Sequence, residues 1–181
     1  MAKLRAAKSY RRVKRAYVRT SKLRNKAYVK GAPNIRLAQY DTGNPNQNYT
    51  HEIQVISTRT IQVRDNALEA GRQTAVRYLE VHLAKEGYWM KTRAVPHHIL
   101  RENPLATGAG ADRFSQGMAH SFGSPYGHAA QVKPGRIIYT FRVFKHQIPF
   151  AKEAARKAST KMPMHCMIKV FDMSTGKEIV A

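Results

Sequence analysis

The string Gly108-Ala109-Gly110-Ala111-Asp112-Arg113 begins as a dinucleotide-binding turn does. That turn directly follows a strand and needs a third glycine so that its helix can pack closely. Arg113 stands in the third glycine's place, and no strand pattern runs directly into Gly108. Thr175-Gly176-Lys177-Glu178 carries a Gly-Lys pair but lacks both the upstream glycine of a phosphate loop and the hydroxyl residue that follows its lysine. Ser121 has Gly123 behind it but Ala119 ahead of it, which leaves a nucleophile elbow incomplete. The eight histidines show no metal spacing, and Cys166, the only cysteine, builds neither a zinc site nor an internal disulfide. His97-His98 reads as packing or phosphate contact rather than a ligand pair, and Asn48-Tyr49-Thr50 is a glycosylation acceptor only in an exported chain. The expectation is a protein without catalytic residues, cofactor or metal.

The chemistry that the sequence does support is electrostatic. Between Met1 and Tyr40 there are thirteen cations and no acidic residue, and Tyr10, Tyr17 and Tyr28 are interleaved among them. Lysine and arginine meet phosphates and tyrosine rings stack on bases, so this stretch reads as an RNA-binding arm. The whole chain has 32 Lys+Arg against 11 Asp+Glu, a net +21. Self-repulsion on that scale opposes a compact state unless a polyanion neutralises it, and nucleic acid gains counterion-release entropy in doing so. An anionic membrane is the rival partner, but no apolar run is long enough to span a bilayer and the basic N-terminus lacks the apolar core of a secretory signal. The single cysteine fits a reducing, cytoplasmic setting.

These residues need a scaffold, and 181 residues with 43% hydrophobic composition suffice for one domain with its own core. Residues 35–40 predict a short strand ended by the turn-like Asp41-Thr42-Gly43-Asn44-Pro45. His51 to Val63 alternates and includes a strand. Asp65 or Asn66 is placed to cap a helix running through Leu68, Ala75, Leu79 and Leu83 to Glu86, with Gly87 as its stop. Tyr88 to Val95 alternates again. Residues 100–134 hold five glycines and predict no core element, and residues 103–125 predict a long loop, functional or disordered. Arg136 to Phe144 is the clearest strand, Pro149 opens a helix to about Lys161, and His165 to Phe171 is a last strand. Two helices and five or six strands in mixed order predict an α+β fold, a two-layer α/β sandwich with the helices on a mostly antiparallel sheet. The division expected is a basic arm over 1–34, one domain over 35–172 containing the loop, and a tail over 173–181. The arm is expected to order on RNA.

Several stretches together resemble a known family. They are Lys30-Gly31-Ala32-Pro33 with Asp41-Thr42-Gly43-Asn44, Ala67-Leu68-Glu69-Ala70, the string Gly108 to Met118 with Phe122-Gly123 and Pro125, Val132-Lys133-Pro134-Gly135-Arg136, and Ala154 to Lys161 with Met162-Pro163. The chain is similar over residues 10–171 to the universal large-subunit ribosomal protein family numbered sixteen in bacteria, in its archaeal and eukaryotic form, called ten-e. The resemblance implies a structural role: binding large-subunit rRNA beside the tRNA passage, with the long loop directed toward the peptidyl-transferase centre and support for tRNA positioning and subunit assembly. It implies rRNA, nearby tRNA, other large-subunit proteins and assembly factors as partners. The expected RNA-binding residues are Arg5, Lys8, Arg11, Arg12, Lys14, Arg15, Arg19, Lys22, Arg24, Lys26, Arg93, Arg101, Lys133 and Arg136. The expected loop residues beside tRNA are Gly108, Gly110, Asp112, Arg113, Ser115, Gln116, Gly117 and Met118. Many relatives carry cations where this chain has Ala119, His120 and Ser124, so those positions are not expected to meet phosphates. The alternative on composition alone is a generic nucleic-acid-compacting protein, which would bind duplex DNA without preference for structured rRNA.

Overall fold

The computed structural model describes residues 5–103, 108–110 and 122–179. In chain order the elements are β1 (Asp41–Gly43), β2 (His51–Ser57), β3 (Ile61–Arg64), α1 (Asp65–Leu83), β4 (Trp89–Thr92), β5 (His98–Glu102), β6 (Ser124–Val132), β7 (Ile137–Val143), α2 (Ile148–Ser159) and β8 (Cys166–Asp172). They form two antiparallel sheets, ordered β1-β4-β7-β2-β8 and β3-β6-β5. Every second residue of β2, from His51 to Ser57, is buried, the period of a strand covered on one face. The α2 helix buries Ala151, Ala154, Ala155 and Ala158, a stripe of small side chains at helical spacing that lets it lie close against α1 and the larger sheet. The α1 helix buries Leu68, Ala75, Val76 and Leu79 and touches both sheets. Ile53, Tyr88, Tyr139 and Phe141 complete the centre of the core, where the Tyr139 hydroxyl donates to the Leu68 carbonyl at 2.7 Å.

The two sheets meet end to end, where β2 leads into β3 and β6 into β7. β2 pairs with β7, ending at Ile56↔Ile137, and β3 pairs with β6, beginning at Ile61↔Val132. The second pair lies five residues on along each strand, so beyond the bulge at Val55/Ile56 one register runs through both ladders. The interruption is the turn Lys133–Arg136, closed by the Arg136 N–H on the Lys133 carbonyl and bonded across to Ser57 through the Gly135 N–H and the Arg136 carbonyl. Pro134 then Gly135, with φ of +79° at the glycine, is the sequence that a type II turn asks for.

The α+β reading and the two helices stand, but five local expectations change. Residues 35–40 form no strand, because the Arg36 N–H donates to an Asp65 carboxylate oxygen at 3.0 Å and the Ala38 N–H to Glu69 at 3.3 Å; these amides are satisfied by α1 rather than by a ladder. The strand sits where a turn is expected, at Asp41–Gly43. Asp65 is the first residue of α1 instead of its cap, and Arg64 at the N-cap makes no side-chain capping bond. The His51–Val63 stretch holds two strands. Residues 100–134 are not excluded from the core: β6 runs through them with Ala129, Ala130 and Val132 buried. Alanines carry little strand preference of their own, but small residues suit a sheet against which a helix packs closely.

Candidate nucleic-acid interface

The basic arm is not free-standing. It crosses the three-stranded sheet from one edge to the other. At β3 the Gln62 N–H donates to the Arg11 carbonyl at 3.2 Å, and the Gln62 side-chain amide donates to the Tyr10 carbonyl at 3.0 Å. Over the middle strand, the Gln131 amide donates to the Lys14 carbonyl at 2.8 Å. At β5 the Ile99 N–H donates to the Tyr17 carbonyl at 2.9 Å, and the Tyr17 N–H donates to Nδ1 of His98 at 2.8 Å. An amide at each edge of the sheet is thereby satisfied by arm backbone, a way of protecting sheet edges. Accepting that bond requires His98 Nδ1 to be unprotonated, and burial first, with His97, Arg101 and His128 nearby, lowers the His98 pKa.

Two side-chain clusters fix the arm's ends. Glu102, at the end of β5, accepts from the Arg5 guanidinium and, at 2.9 Å, from the Tyr10 hydroxyl. Burial, then the hydrogen bond to Glu102, raises the Tyr10 pKa. Arg64 donates to the Arg5 carbonyl at 2.7 Å and lies over the Tyr10 ring. Farther along, the Arg101 guanidinium lies 3.7 Å from the centroid of Phe122 and 4.8 Å from that of Tyr17, while those two rings meet edge to face at 5.7 Å. A polar cleft of about 370 Å3 between arm and sheet is lined by Arg12, Lys14, Arg15 and Arg101.

The charges are segregated. Among the described residues, Glu102 is held by Arg5, Glu52 by Arg142, Asp41 by Lys91, Glu153 by Arg156 and Glu178 by Lys169. Glu69 takes a two-pronged contact from Arg72, which outweighs burial and lowers the carboxyl pKa. Asp65 is occupied by backbone amides. By contrast, the eleven arm cations from Lys8 to Arg36 are all exposed and none pairs with a described carboxylate. Most of the described acids are engaged in this way, while the arm's positive charge lies outward, an electrostatic footprint for a polyanion. No three His, Cys, Asp or Glu side chains gather as a metal site among the described residues. Cys166 is buried and burial pushes its thiol up to about 11, away from nucleophilic chemistry.

The family described as ribosomal protein L16p/L10e matches this chain over residues 13–169. The chain belongs to that family. It is 42% identical to the large ribosomal subunit protein uL16 of Archaeoglobus fulgidus over 91% of each chain. It is 40% identical to the protein of the same name from Methanococcus maripaludis over 98% of each, and 37% identical to that of Hyperthermus butylicus over 86% of this chain and 87% of the relative.

In this L16p/L10e chain the expected site residues fall into groups. Lys8, Arg11, Arg12, Lys14, Arg15, Arg19, Lys22, Arg24 and Lys26 lie exposed along the docked arm. Arg5 is engaged by Glu102, and Arg101 by two aromatic rings, so both hold structure as well as carry charge. Arg93 and Arg136 border an open cleft of about 830 Å3 on the larger sheet, with Lys91 and Arg142 beside them; Arg93 donates to the Thr140 hydroxyl at 3.2 Å. Lys133 is exposed in the β6–β7 turn. Gly108 and Gly110 are exposed, with nothing among the described residues near the position of an added Cβ. Asp112, Arg113, Ser115, Gln116, Gly117 and Met118 lie outside the described residues. Sequence reasoning missed Gln62, Gln131 and His98 as the arm's anchors. Only the pairing of β3 with β6 and of β6 with β5 brings them under one segment, and no local pattern encodes that.

Proposed function

We propose that this chain is a structural constituent of the large ribosomal subunit, in the cytoplasmic ribosome, and that its docked arm binds large-subunit rRNA. The carrying observation is the segregation of charge: eleven exposed arm cations face outward while the described carboxylates are mostly taken up within the scaffold. Each phosphate met by such a cation releases a counterion, and the entropy of that release drives binding. Arg93, Lys133 and Arg136 extend the basic surface beyond the arm. The relatives' shared name, large ribosomal subunit protein uL16, and the family itself support the assignment to the subunit. The 108–118 loop string then lies beside the tRNA passage, where it supports tRNA positioning and late assembly, with other large-subunit proteins and assembly factors as further partners. The role needs no chemistry from the protein's own side chains.

The test is the salt dependence of binding to large-subunit rRNA. Each neutralised phosphate contributes roughly −0.7 to −0.9 to the log–log slope, so replacing Arg11, Arg12, Lys14 and Arg15 by alanine is expected to flatten it by up to about 3 units. An unchanged slope moves the interface elsewhere. Equal affinity for duplex DNA and structured rRNA, with no copurification with large subunits, makes the protein a generic compacting factor instead.

A further inference from the structure

The arm folds back on itself after Thr20 and encloses a cleft that phosphate contacts alone leave unused. The Thr20 N–H donates to the Ala27 carbonyl at 3.1 Å, and the Thr20 hydroxyl reaches the carbonyls of Lys26 at 2.9 Å and Tyr28 at 3.2 Å. Between this loop and Pro125 at the start of β6 lies a cavity of about 520 Å3, lined by Tyr17, Asn25, Lys26, Tyr28 and Lys30 among others. That volume is in the range of small-ligand sites, roughly 300–1,000 Å3.

The lining residues differ in kind. Tyr17 is fixed, bonded through its N–H to His98 and through its carbonyl to Ile99, with its ring held by Arg101 and Phe122. Tyr28 is 62% exposed, and no ring or cation stacks on it among the described residues. Asn25 offers an amide with both donors and an acceptor. Lys26 and Lys30 are exposed and unpaired with any described carboxylate. A bare aromatic face, a two-way hydrogen-bonding edge and two flanking cations suit a planar heterocycle carrying phosphates. A base inside a duplex hides its faces against its neighbours, so stacking on Tyr28 requires an unstacked base.

We propose that this cleft takes a single unpaired nucleotide of RNA, its base stacked on Tyr28, its edge read by Asn25 and its phosphates held by Lys26 and Lys30. The proposal rests on the reading of the arm as an RNA-binding element and names a base-recognising site within it. The fixed wall at Tyr17 ties the cleft to the sheet, so the site is carried by the folded domain and not by a loose tail.

The experiment measures Kd of the full-length protein for two short RNA hairpins, identical except that one carries a single bulged adenosine, across a salt series. The wild-type protein is expected to prefer the bulged hairpin by about fivefold or more, the usual worth of one base stacked on an aromatic ring. Tyr28→Ala abolishes that preference while leaving the salt slope unchanged, and Tyr28→Phe retains it. Lys26→Ala with Lys30→Ala weakens binding to both hairpins and flattens the slope by up to about 2 units. Equal affinity for the two hairpins with a steep slope overturns the cleft but leaves the RNA-binding arm standing. A flat slope with both overturns the arm itself. Tyr28 is mostly exposed, so its variants are expected to fold; should Tyr28→Ala nonetheless lose its circular dichroism, Asn25→Ala, which removes the edge contact, must lower the preference, and its failure to do so overturns the proposal.

Discussion

Glu102 and Gly123 meet at the two ends of the stretch expected from sequence to be a long loop. The Glu102 side chain holds Arg5 and Tyr10 of the arm, and its backbone lies against Gly123, where an added Cβ would come within 2.7 Å of the Glu102 carbonyl carbon. Gly123 also has φ of +79°, a conformation that costs an L side chain roughly 1–2 kcal/mol before any clash is counted. Gly123→Ala is therefore expected to destabilise the protein by at least about 1–2 kcal/mol, read as a lower midpoint in urea. The loss should be accompanied by faster amide exchange at the β5–β6 pairing around Arg101↔Pro125. A midpoint equal to the wild type's would show that the loop mouth does not need glycine. Tyr139 acts at the same scale in the core: burial first, with Cys166 and Glu69 nearby, pushes its phenol far above the ordinary tyrosine range, so its hydroxyl keeps the proton that it donates to Leu68.

At the scale of elements, the arm is held to the sheet by a bond that titrates. His98 Nδ1 accepts the Tyr17 N–H only while unprotonated, and its pKa is lowered in the fold chiefly by burial. A folded pKa below the unfolded one means that the contribution is complete above the unfolded value, about 6.5, and is lost as pH falls through the folded value. Amide protection at Tyr17 and Ile99, corrected for intrinsic exchange, is thus expected to be high at neutral pH and to drop in mild acid. The β2–β7 ladder should keep its protection over the same interval. Equal loss in both places would make the effect global unfolding. The arm also marks where sequence reading succeeded and where it stopped. Its cations and tyrosines are contiguous, so its chemistry is legible in one dimension. Its docking depends on Gln62, Gln131 and His98, residues far apart in sequence and joined only by strand pairing. The first helix was legible from apolar spacing, and the second from Pro149, which stands in its first turn. The 35–40 strand was misread because its amides are taken by the Asp65 and Glu69 carboxylates, a competition that alternation along one segment cannot reveal. β5 and β6 were obscured by Gly127 and paired alanines, whose place in the core comes from the helix laid against them.

For the whole molecule, the question is whether the long loop belongs to the fold or to its function. Between Gly108 and Gly123 the sequence supplies few large apolar side chains, mainly Phe114, Met118 and Phe122, so shortening this stretch is expected to cost the core little. The mouth is secured independently, by Phe122 against Arg101 and Tyr17 and by Gly123 against Glu102. Loop-closure entropy changes by only about 0.6 kcal/mol per doubling of length, and 1 kcal/mol moves Tm by roughly 2–4 °C in a protein of this size. Replacing residues 109–121 by a brief Gly/Ser link is therefore expected to leave Tm within about 4 °C of the wild type. Binding to rRNA through the arm should persist, because the arm's anchors on Gln62, Gln131 and His98 lie outside the deleted stretch. The defect is expected instead in subunits that carry the variant, as slowed peptide-bond formation or arrested late assembly. Arg113→Ala should reproduce part of it, since Arg113 is the only cation between Gly108 and Met118. Comparing thermal melting of the purified variant with peptide-bond formation by its subunits separates the two roles. A collapse of melting while the few assembled subunits translate normally would assign the loop to the fold, and near-normal melting with failed translation assigns it to function.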